Sequence, residues 1–254
     1  MTVTAAARPS AYARKTDRLF YGGMAALIGL TVFLGFAPSY YLEGVFHQGR
    51  PLTPLAHLHG VVFSSWIIFL LLQASLVSAR RTAVHRKLGI AGAVLAAAMV
   101  VIGLTAAVMS ARAGTNQAPG LTPQQFLIIP FADMAVFAPT VAAAIWFRKR
   151  PEIHKRLILV ATIALIIAAV ARLPALVPGG FAAFAAWSPA AVFLFFFALT
   201  DLFLVAAIAY DFATRGRVHP AYLWAGGWLV LSQPLRLWLM YTPAWAAVAR
   251  ALVG

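Results

Sequence analysis

The sequence predicts an all-α, polytopic membrane protein built as a bundle of seven transmembrane helices. Of its 254 residues, 63% are hydrophobic and 10% are charged, whereas soluble domains are about 25% charged. Crossing a hydrocarbon core takes about 20 apolar residues in a helix. Seven stretches approach or exceed this length, the first of them slightly short: 19–38, 55–79, 87–111, 126–147, 156–177, 188–210 and 221–245.

The connections between these stretches alternate in charge. The segment before residue 19 and the connections 80–87, 148–156 and 211–219 are rich in Arg and Lys, whereas 39–54, 112–125 and 178–187 carry few charges or none. Seven crossings would place all the rich segments on one side, which the positive-inside rule assigns to the cytoplasm. We therefore predict a bacterial inner-membrane protein with its N-terminus cytoplasmic and its C-terminus extracytoplasmic. Residues 1–18 would form a basic cytoplasmic segment and residues 19–254 the transmembrane domain.

Composition and motifs exclude several classes of function. The net charge of +14 invites a nucleic-acid role, but the basic residues lie in short connections and no basic soluble domain exists to carry that role. The absence of cysteine excludes disulfides and thiolate metal sites. No lysine lies deep within a predicted span, which argues against a retinal Schiff base. Phosphate-binding loops, HExxH motifs and nucleophile elbows are also missing. The lipid bilayer is the expected partner.

Three basic connections resemble one another. They read Arg81-x-x-x-His85-Arg-Lys-Leu, Arg150-x-x-x-His154-Lys-Arg-Leu and Arg215-x-Arg217-x-His219-Pro. The repetition of this motif after every second helix predicts one helix followed by three related hairpins, formed by helices 2–3, 4–5 and 6–7. The three histidines have two main interpretations: a basic cluster that fixes topology and contacts anionic headgroups, or a three-histidine zinc site. A surface for haem or lipid phosphate is a third.

A second pattern places ionisable residues at bilayer depth. Asp133, His154 and Arg172 occur in that order, and Asp201, His219 and Arg236 repeat it. Ionisable side chains inside a membrane are expensive and indicate a functional site by default. Helix positions place six polar residues in roughly the outer half of the bilayer, so we predict a ligand-binding set of His59, Asp133, Arg172, Asp201, Gln233 and Arg236. The alternative is structural: two Asp–Arg pairs that hold the hairpins together.

The motif His57-Leu-His59-Gly60 predicts a cofactor site on helix 2. If the backbone is extended there, His57 and His59 project to the same side and could bind zinc, copper or iron together with Asp133. A haem is the other candidate, with His59 as an axial ligand and Met109, Met134 or Met240 opposite. We expect Gly60 to leave room for a neighbouring helix or a flat ligand. The alternative is an interfacial His57 and a hydrogen-bonded His59.

Four motifs carry a resemblance to known proteins: Phe36-Ala-Pro38-Ser-Tyr40-Tyr41, His57-Leu-His59-Gly60, His85-Arg-Lys-Leu-Gly89 and Ser232-Gln-Pro-Leu-Arg236. Together they resemble a group of uncharacterised bacterial multi-pass membrane proteins, over nearly the whole chain, and this resemblance implies no function. The His59-to-His85 hairpin also resembles that of transmembrane b-type cytochromes, which implies a haem or metal role. It departs from the cytochromes because paired histidines on facing helices are missing.

The predicted function is a binding or accessory one. A cavity open to the extracytoplasmic side would bind a metal ion, haem or small polar ligand, with His59 as ligand or proton acceptor. One alternative is a small proton-coupled transporter, in which Gln73 joins the path on the inner half. The other alternative is a membrane-embedded metalloenzyme that depends on His59.

Overall fold

The computed structural model describes residues 11–47, 51–115, 118 and 120–254, and of residues 11–14 it describes the backbone alone. Regular structure in these ranges is entirely helical. Two π-helical turns (Ala37–Tyr41 and Tyr222–Gly226) and two 3-10 turns (Leu173–Leu176 and Gly180–Phe184) accompany ten α-helices. These are α1 (Ala11–Phe36), α2 (Glu43–Phe46), α3 (Pro54–Ser78), α4 (Thr82–Arg112), α5 (Pro123–Phe126), α6 (Ile128–Trp146), α7 (Pro151–Val170), α8 (Pro189–Arg215), α9 (Gly227–Leu239) and α10 (Pro243–Val253).

Among the described residues, six helical segments are long and apolar enough to cross a membrane, which is typical of a multi-pass membrane protein. They are Lys15–Tyr41, Pro54–Ser78, Thr82–Arg112, Pro123–Trp146, Pro151–Val170 and Pro189–Arg215. This confirms the prediction of a helical membrane bundle. The predicted basic N-terminal segment, 1–18, lies partly outside the described residues, and its last residues belong to α1.

The last predicted stretch, 221–245, is not one helix. Helical structure that starts at Pro220 ends at Leu239, and α10 begins afresh at Pro243. Thr242 caps α10 through its hydroxyl, which accepts a hydrogen bond from the Trp245 N–H, and Pro243 occupies the first turn. A threonine followed by proline is a helix-start signal, and the same pair opens α3 at Thr53. The Thr-Pro pair at 242 was the signal that the hydropathy-based prediction overlooked.

Helix α7 forms the centre of the bundle. In the most apolar 18-residue stretch of α7, 67% of the residues are buried, whereas the corresponding share in α3 is 6%. Helix α3 therefore contributes mainly to the outer surface of the bundle. Helices α1, α6 and α8 pack directly on α7, and α3 and α4 form an outer hairpin. The main core cluster joins Ile28 of α1, Val160 and Ile163 of α7, Ala207 of α8 and Leu229 of α9.

A proline inside α6 leaves one backbone carbonyl without its helical hydrogen-bond donor, and a side chain of another helix supplies a donor. Pro139 has no N–H, so the carbonyl of Ala135, four residues earlier, lacks its helical donor. The indole N–H of Trp228 in α9 donates to that carbonyl oxygen at 3.4 Å. Because no water is present in a hydrocarbon core, a freed carbonyl needs such a neighbour. The contact helps to hold α9 against α6.

Gly35 allows a close backbone approach between α1 and α7. A Cβ atom at this position would collide with the backbone carbonyl of Ala169 in α7. We expect Gly35→Ala to lower the free energy of unfolding by about 1–3 kcal/mol, since a backbone group cannot move aside as a side chain can. Gly23→Ala in the same helix is the control, because nothing lies within 4 Å of its added methyl group. Equal effects of the two substitutions on detergent unfolding curves would contradict this packing.

Candidate functional site

The structure pairs an aspartate of the first Asp–His–Arg set with an arginine of the second. A guanidinium N–H (Nη1) of Arg236 in α9 donates to Oδ1 of Asp133 in α6. Arg236 is 2% exposed and also donates to Ser232, through Nη2 to the hydroxyl at 2.7 Å. Its guanidinium carbon lies 5.2 Å from the centre of the Phe197 ring. The arginine is therefore almost fully enclosed and oriented by three neighbours.

Asp201 has a neutral partner instead. The side-chain amide of Gln233 donates to its Oδ1 at 2.8 Å. In the part of the chain that the structure describes, no Lys or Arg nitrogen lies within 4 Å of the Asp201 carboxylate. Gln233 and Arg236 are three residues apart on α9 and so share a face. That face meets the two aspartates of α6 and α8.

The cavity among these residues is small. It has a volume of about 10 Å³ and is lined by Asp133, Thr200, Gln233, Arg236 and apolar residues of α7, α8 and α9. A single water needs about 10–15 Å³ measured in this way. Haem, or any ligand much larger than water, does not fit this space. The space beside Asp133, Gln233 and Arg236 is therefore of the size of one water molecule, and Asp201 does not line it.

Arg172 stands apart from this group. It follows the end of α7, donates to the carbonyl of Ala168 at 2.6 Å, and lies over the Phe36 ring at 4.7 Å. Within the described ranges, Arg172 forms no ion pair with an acidic side chain. The predicted layer of six residues is thus divided. Asp133, Asp201, Gln233 and Arg236 contact one another in two pairs, and Arg172 lies at the end of α7 without an acidic partner.

The predicted metal site of His57, His59 and Asp133 finds no support in the described residues, among which no group of three or more His, Cys, Asp or Glu side chains could hold a metal ion. The physical reason is the early start of α3. Thr53 caps the helix and Pro54 begins it, so His57 and His59 are already helical. At about 100° per residue they point to different sides. His57 is exposed, whereas His59 is half-buried.

The side chain of His59 packs against an aromatic ring. Its imidazole stacks on Phe63 with ring centres 4.1 Å apart, and its Nδ1 atom is buried without a hydrogen-bond partner. Tyr40 fills the space beside Gly60, where an added Cβ would lie 2.6 Å from the Tyr40 ring. The expected room for a flat ligand is therefore already occupied.

A larger polar group lies at the other end of the bundle, where the connections around Arg80–Arg81, 148–150 and 215–217 are located. We call this the basic end. Arg156 of α7 and Asp211 of α8 form a bidentate pair, with Nε to Oδ2 at 2.8 Å and Nη2 to Oδ1 at 2.5 Å. Both side chains are fully buried. Arg156 also donates to the Glu152 carboxylate at 2.8 Å.

This pair belongs to a charge-balanced network, the basic-end ion cluster. It contains three acids and three bases: Asp17, Glu152, Asp211, Lys155, Arg156 and Arg215. Asp17 of α1 accepts hydrogen bonds from Lys155 at 2.6 Å and from Arg215 at 2.6 and 2.7 Å. The Tyr210 hydroxyl donates to the same carboxylate. The cluster therefore joins α1, α7 and α8 at one end of the bundle.

The sequence interpretation treated these residues as part of topology-setting loops and missed the cluster. Two signals could have revealed it. Glu152 and Arg156 are four residues apart, as are Asp211 and Arg215, which is the spacing of paired side chains on one helix face. Furthermore, three of the six acidic residues of the chain occur near otherwise basic connections. An acid retained there indicates a local partner.

The three histidines of the basic connections do not meet at one point. The rings of His85 and His154 lie 6.3 Å apart, and His154 Nδ1 contacts the Ala144 carbonyl oxygen at 2.8 Å. His219 lies instead beside the ion cluster, where its backbone N–H donates to Asp211 at 3.3 Å. The zinc-site alternative for the three histidines thus has no support in the described part of the chain.

His219 should make stability depend on pH. It lies in the connection between α8 and Pro220, and burial, aided by the positive charge of Arg156, holds its pKa below the ordinary value of 6.5. The unfolded chain then binds more protons than the folded one near that pH, so stability falls as the pH drops below about 6.5. His219→Gln is expected to reduce this pH dependence of the unfolding temperature. An unchanged profile would show that other groups are responsible.

Comparisons with protein-family models, curated proteins and solved structures find no significant match to this chain. The resemblance of its motifs to bacterial membrane proteins and to cytochrome hairpins therefore stays a prediction.

Proposed function

We propose that this chain is an integral inner-membrane protein that binds a proton, with a water molecule, at the site formed by Asp133, Asp201, Gln233 and Arg236. Its role would be that of a binding or accessory protein. The charge balance of the site carries the proposal. Two carboxylates meet one guanidinium, and Asp201 has only an amide beside it. An uncompensated negative charge at bilayer depth is expensive, and a proton on Asp201 removes it.

Topology supports the same proposal. The helical run from Pro220 to Leu239 contains 20 residues, about 30 Å at 1.5 Å per residue, and would serve as the seventh crossing. Seven crossings would place the basic end in the cytoplasm and the C-terminus outside. The hairpins α3–α4, α6–α7 and α8–α9 would then be the three repeats. The proton site would lie where the second and third of these hairpins meet, as sites in repeat proteins commonly do.

His59 and Arg172 would extend the site toward the extracytoplasmic side. His59 has an unpartnered buried Nδ1, and Arg172 has no acidic partner in the described ranges. A small polar ligand with acceptor groups would satisfy both. In this arrangement His59 serves as proton acceptor or donor, and the arginine contacts an anionic part of the ligand.

Infrared spectroscopy of the reconstituted protein tests the proposal. A protonated carboxyl gives a C=O stretch that ionised carboxylates lack. We expect this band in the wild type, and its loss in Asp201→Asn. Asp17→Asn is the control, because Asp17 is held by Lys155 and Arg215 and should not contribute to the band. Absence of the band in the wild type, or its persistence in Asp201→Asn, would contradict proton binding at Asp201.

A proton-coupled transporter is the second candidate, favoured by a polar group toward the basic end. Gln73 of α3 donates to the His85 carbonyl at 3.3 Å, while Gln73 Oε1 and His85 Nδ1 are both buried without a partner. A carrier needs polar groups on both halves of its path. In proteoliposomes with an internal pH dye, proton flux lowered by both Gln73→Leu and Asp201→Asn would favour transport. Flux that neither variant changes would exclude it.

A further inference from the structure

The strongest candidate outside the polar sites is an apolar groove on the side of the bundle. It has a volume of about 830 Å³, within the range of about 300–1,000 Å³ typical of small-molecule sites. Its walls come from α6, α7 and the helix that starts at Pro220, and they include Ala143, Phe147, Leu157, Trp224 and Trp228. Trp224 is 81% exposed, so the groove opens toward lipid rather than into the bundle.

The groove has a local structural cause. Pro139 interrupts the hydrogen bonding of α6, and a π-helical turn at Tyr222–Gly226 widens the opposing helix. The Trp228 indole connects the two helices by donating a hydrogen bond to the Ala135 carbonyl oxygen. Helix irregularities of this kind commonly accompany functional sites. Pro139, Trp224 and Ala225, which belong to these two irregular segments, line the groove.

Unneutralised positive charge occurs close to two lining residues of the groove, Phe147 and His219. In the basic-end ion cluster, acidic side chains neutralise the charges of Lys155, Arg156 and Arg215. By contrast, the exposed side chains of Arg148, Lys149, Arg150 and Arg217 form no ion pair within the described part of the chain. The Arg150 guanidinium lies 5.7 Å from the centre of the Phe147 ring, which is a wall of the groove. Arg217 is two residues from His219, another lining residue.

His219 adds a hydrogen-bond donor to this end. Its Nδ1 atom accepts a hydrogen bond from the Ala221 N–H at 3.1 Å. In the neutral imidazole the proton then stands on Nε2, which leaves a donor for an anionic oxygen. Apolar walls, cationic side chains and a neutral donor therefore occur together along one groove.

We infer that this groove binds an anionic glycerophospholipid, with an acyl chain along Ala143 and Leu157 and its phosphate near Arg150, Arg217 and His219. Basic pockets between transmembrane helices on the cytoplasmic side recognise anionic headgroups in this way. Basic residues that only set topology would attract anionic lipids without any preference for the groove. That difference makes the inference testable.

Fluorescence quenching by lipids with brominated chains distinguishes the two cases. Bromine quenches tryptophan at short range, and Trp224 and Trp228 lie in the groove. In bicelles, we expect brominated phosphatidylglycerol to quench the wild type more strongly than brominated phosphatidylcholine at equal mole fraction. Trp224→Phe with Trp228→Phe should abolish the excess. Equal quenching of the wild type by the two lipids would overturn the inference.

Charge variants locate the headgroup. Arg150→Gln with Arg217→Gln should lower the apparent affinity for phosphatidylglycerol about fivefold for each arginine removed. Arg80→Gln with Arg81→Gln removes the same charge from a connection that does not line the groove, and it should leave the preference nearly unchanged. All four are exposed residues, so folding should be preserved. Equal losses in the two double variants would point to general surface attraction and contradict a specific site.

The chain-binding part has its own test. Ala143→Phe places bulk in the groove while keeping every charge, and it should reduce the excess quenching. An unchanged excess in this variant would show that the lipid binds at the surface only. Inorganic phosphate should not compete, because it lacks the acyl chain, and competition by phosphate would equally contradict a lipid site.

Discussion

Replacing Asp211 with asparagine is expected to lower the free energy of unfolding by about 3–5 kcal/mol, because Arg156 would remain buried without its buried carboxylate partner. Both side chains of the pair are fully enclosed and joined by two hydrogen bonds. The Glu152 carboxylate that still contacts Arg156 is 45% exposed, so water screens it and it compensates the buried charge only in part. Reversible unfolding in mixed micelles, followed by circular dichroism, measures it.

Two further variants test this explanation. Asp211→Leu combined with Arg156→Met removes both charges and should recover most of the loss, since an apolar pair of similar volume is often as stable as a buried ion pair. Glu152→Gln should cost no more than about 1 kcal/mol, because Glu152 is 45% exposed and water screens its contacts. A double variant as unstable as Asp211→Asn would indicate that the ion pair itself, and not the orphaned charge, stabilises the bundle.

The effect of Asp133→Asn on the free energy of unfolding is expected to depend on Arg236 and not on Arg172. Arg236 donates directly to Asp133 from a site that is 2% exposed, whereas Arg172 contacts a backbone carbonyl and an aromatic ring. In double-mutant cycles with Gln at each arginine, we expect a coupling energy of about 1–3 kcal/mol for Asp133 with Arg236. The cycle with Arg172 should give a coupling near zero.

The comparison of the two cycles decides how the repeated Asp–His–Arg order is used. Strong coupling to Arg172 would mean that each set pairs within itself, against the contacts described above. Coupling to Arg236 alone would mean that the aspartate of the first set pairs with the arginine of the second, which joins the two repeats. Because Asp133 lies on α6 and Arg236 on α9, this ion pair connects the second hairpin to the third.

Hydropathy placed most of the helices correctly. The predicted span 55–79 agrees with Pro54–Ser78, and 87–111 falls inside Thr82–Arg112. The helical class of the fold was predictable because apolar length is dictated by the thickness of the bilayer. Helix ends were predicted less well. The span 156–177 ends at Val170, since hydropathy does not distinguish an α-helix from the apolar 3-10 turns that follow it.

The candidate site was only partly predictable. Asp133, Asp201, Gln233 and Arg236 were identified because polar side chains in apolar stretches must find partners. Their pairing was not, because sequence separation says nothing about which helices are neighbours. Arg156 and Asp211 were assigned to loops because charge near a membrane boundary ordinarily faces water. The fold instead encloses them between α7 and α8.

Apolar length and the desolvation of charge are local properties of the sequence, and they are enough to identify a helical membrane protein and the positions that must be shielded from lipid. The capping of free N–H groups is also local, so the Thr-Pro pairs at Thr53 and Thr242 mark two helix starts. By contrast, the contact of Asp133 with Arg236, the contact of Asp201 with an amide and the burial of Arg156 arise only when the helices pack together. Each of those outcomes depends on which helix faces pack together, and packing is a property of the whole bundle rather than of any one segment.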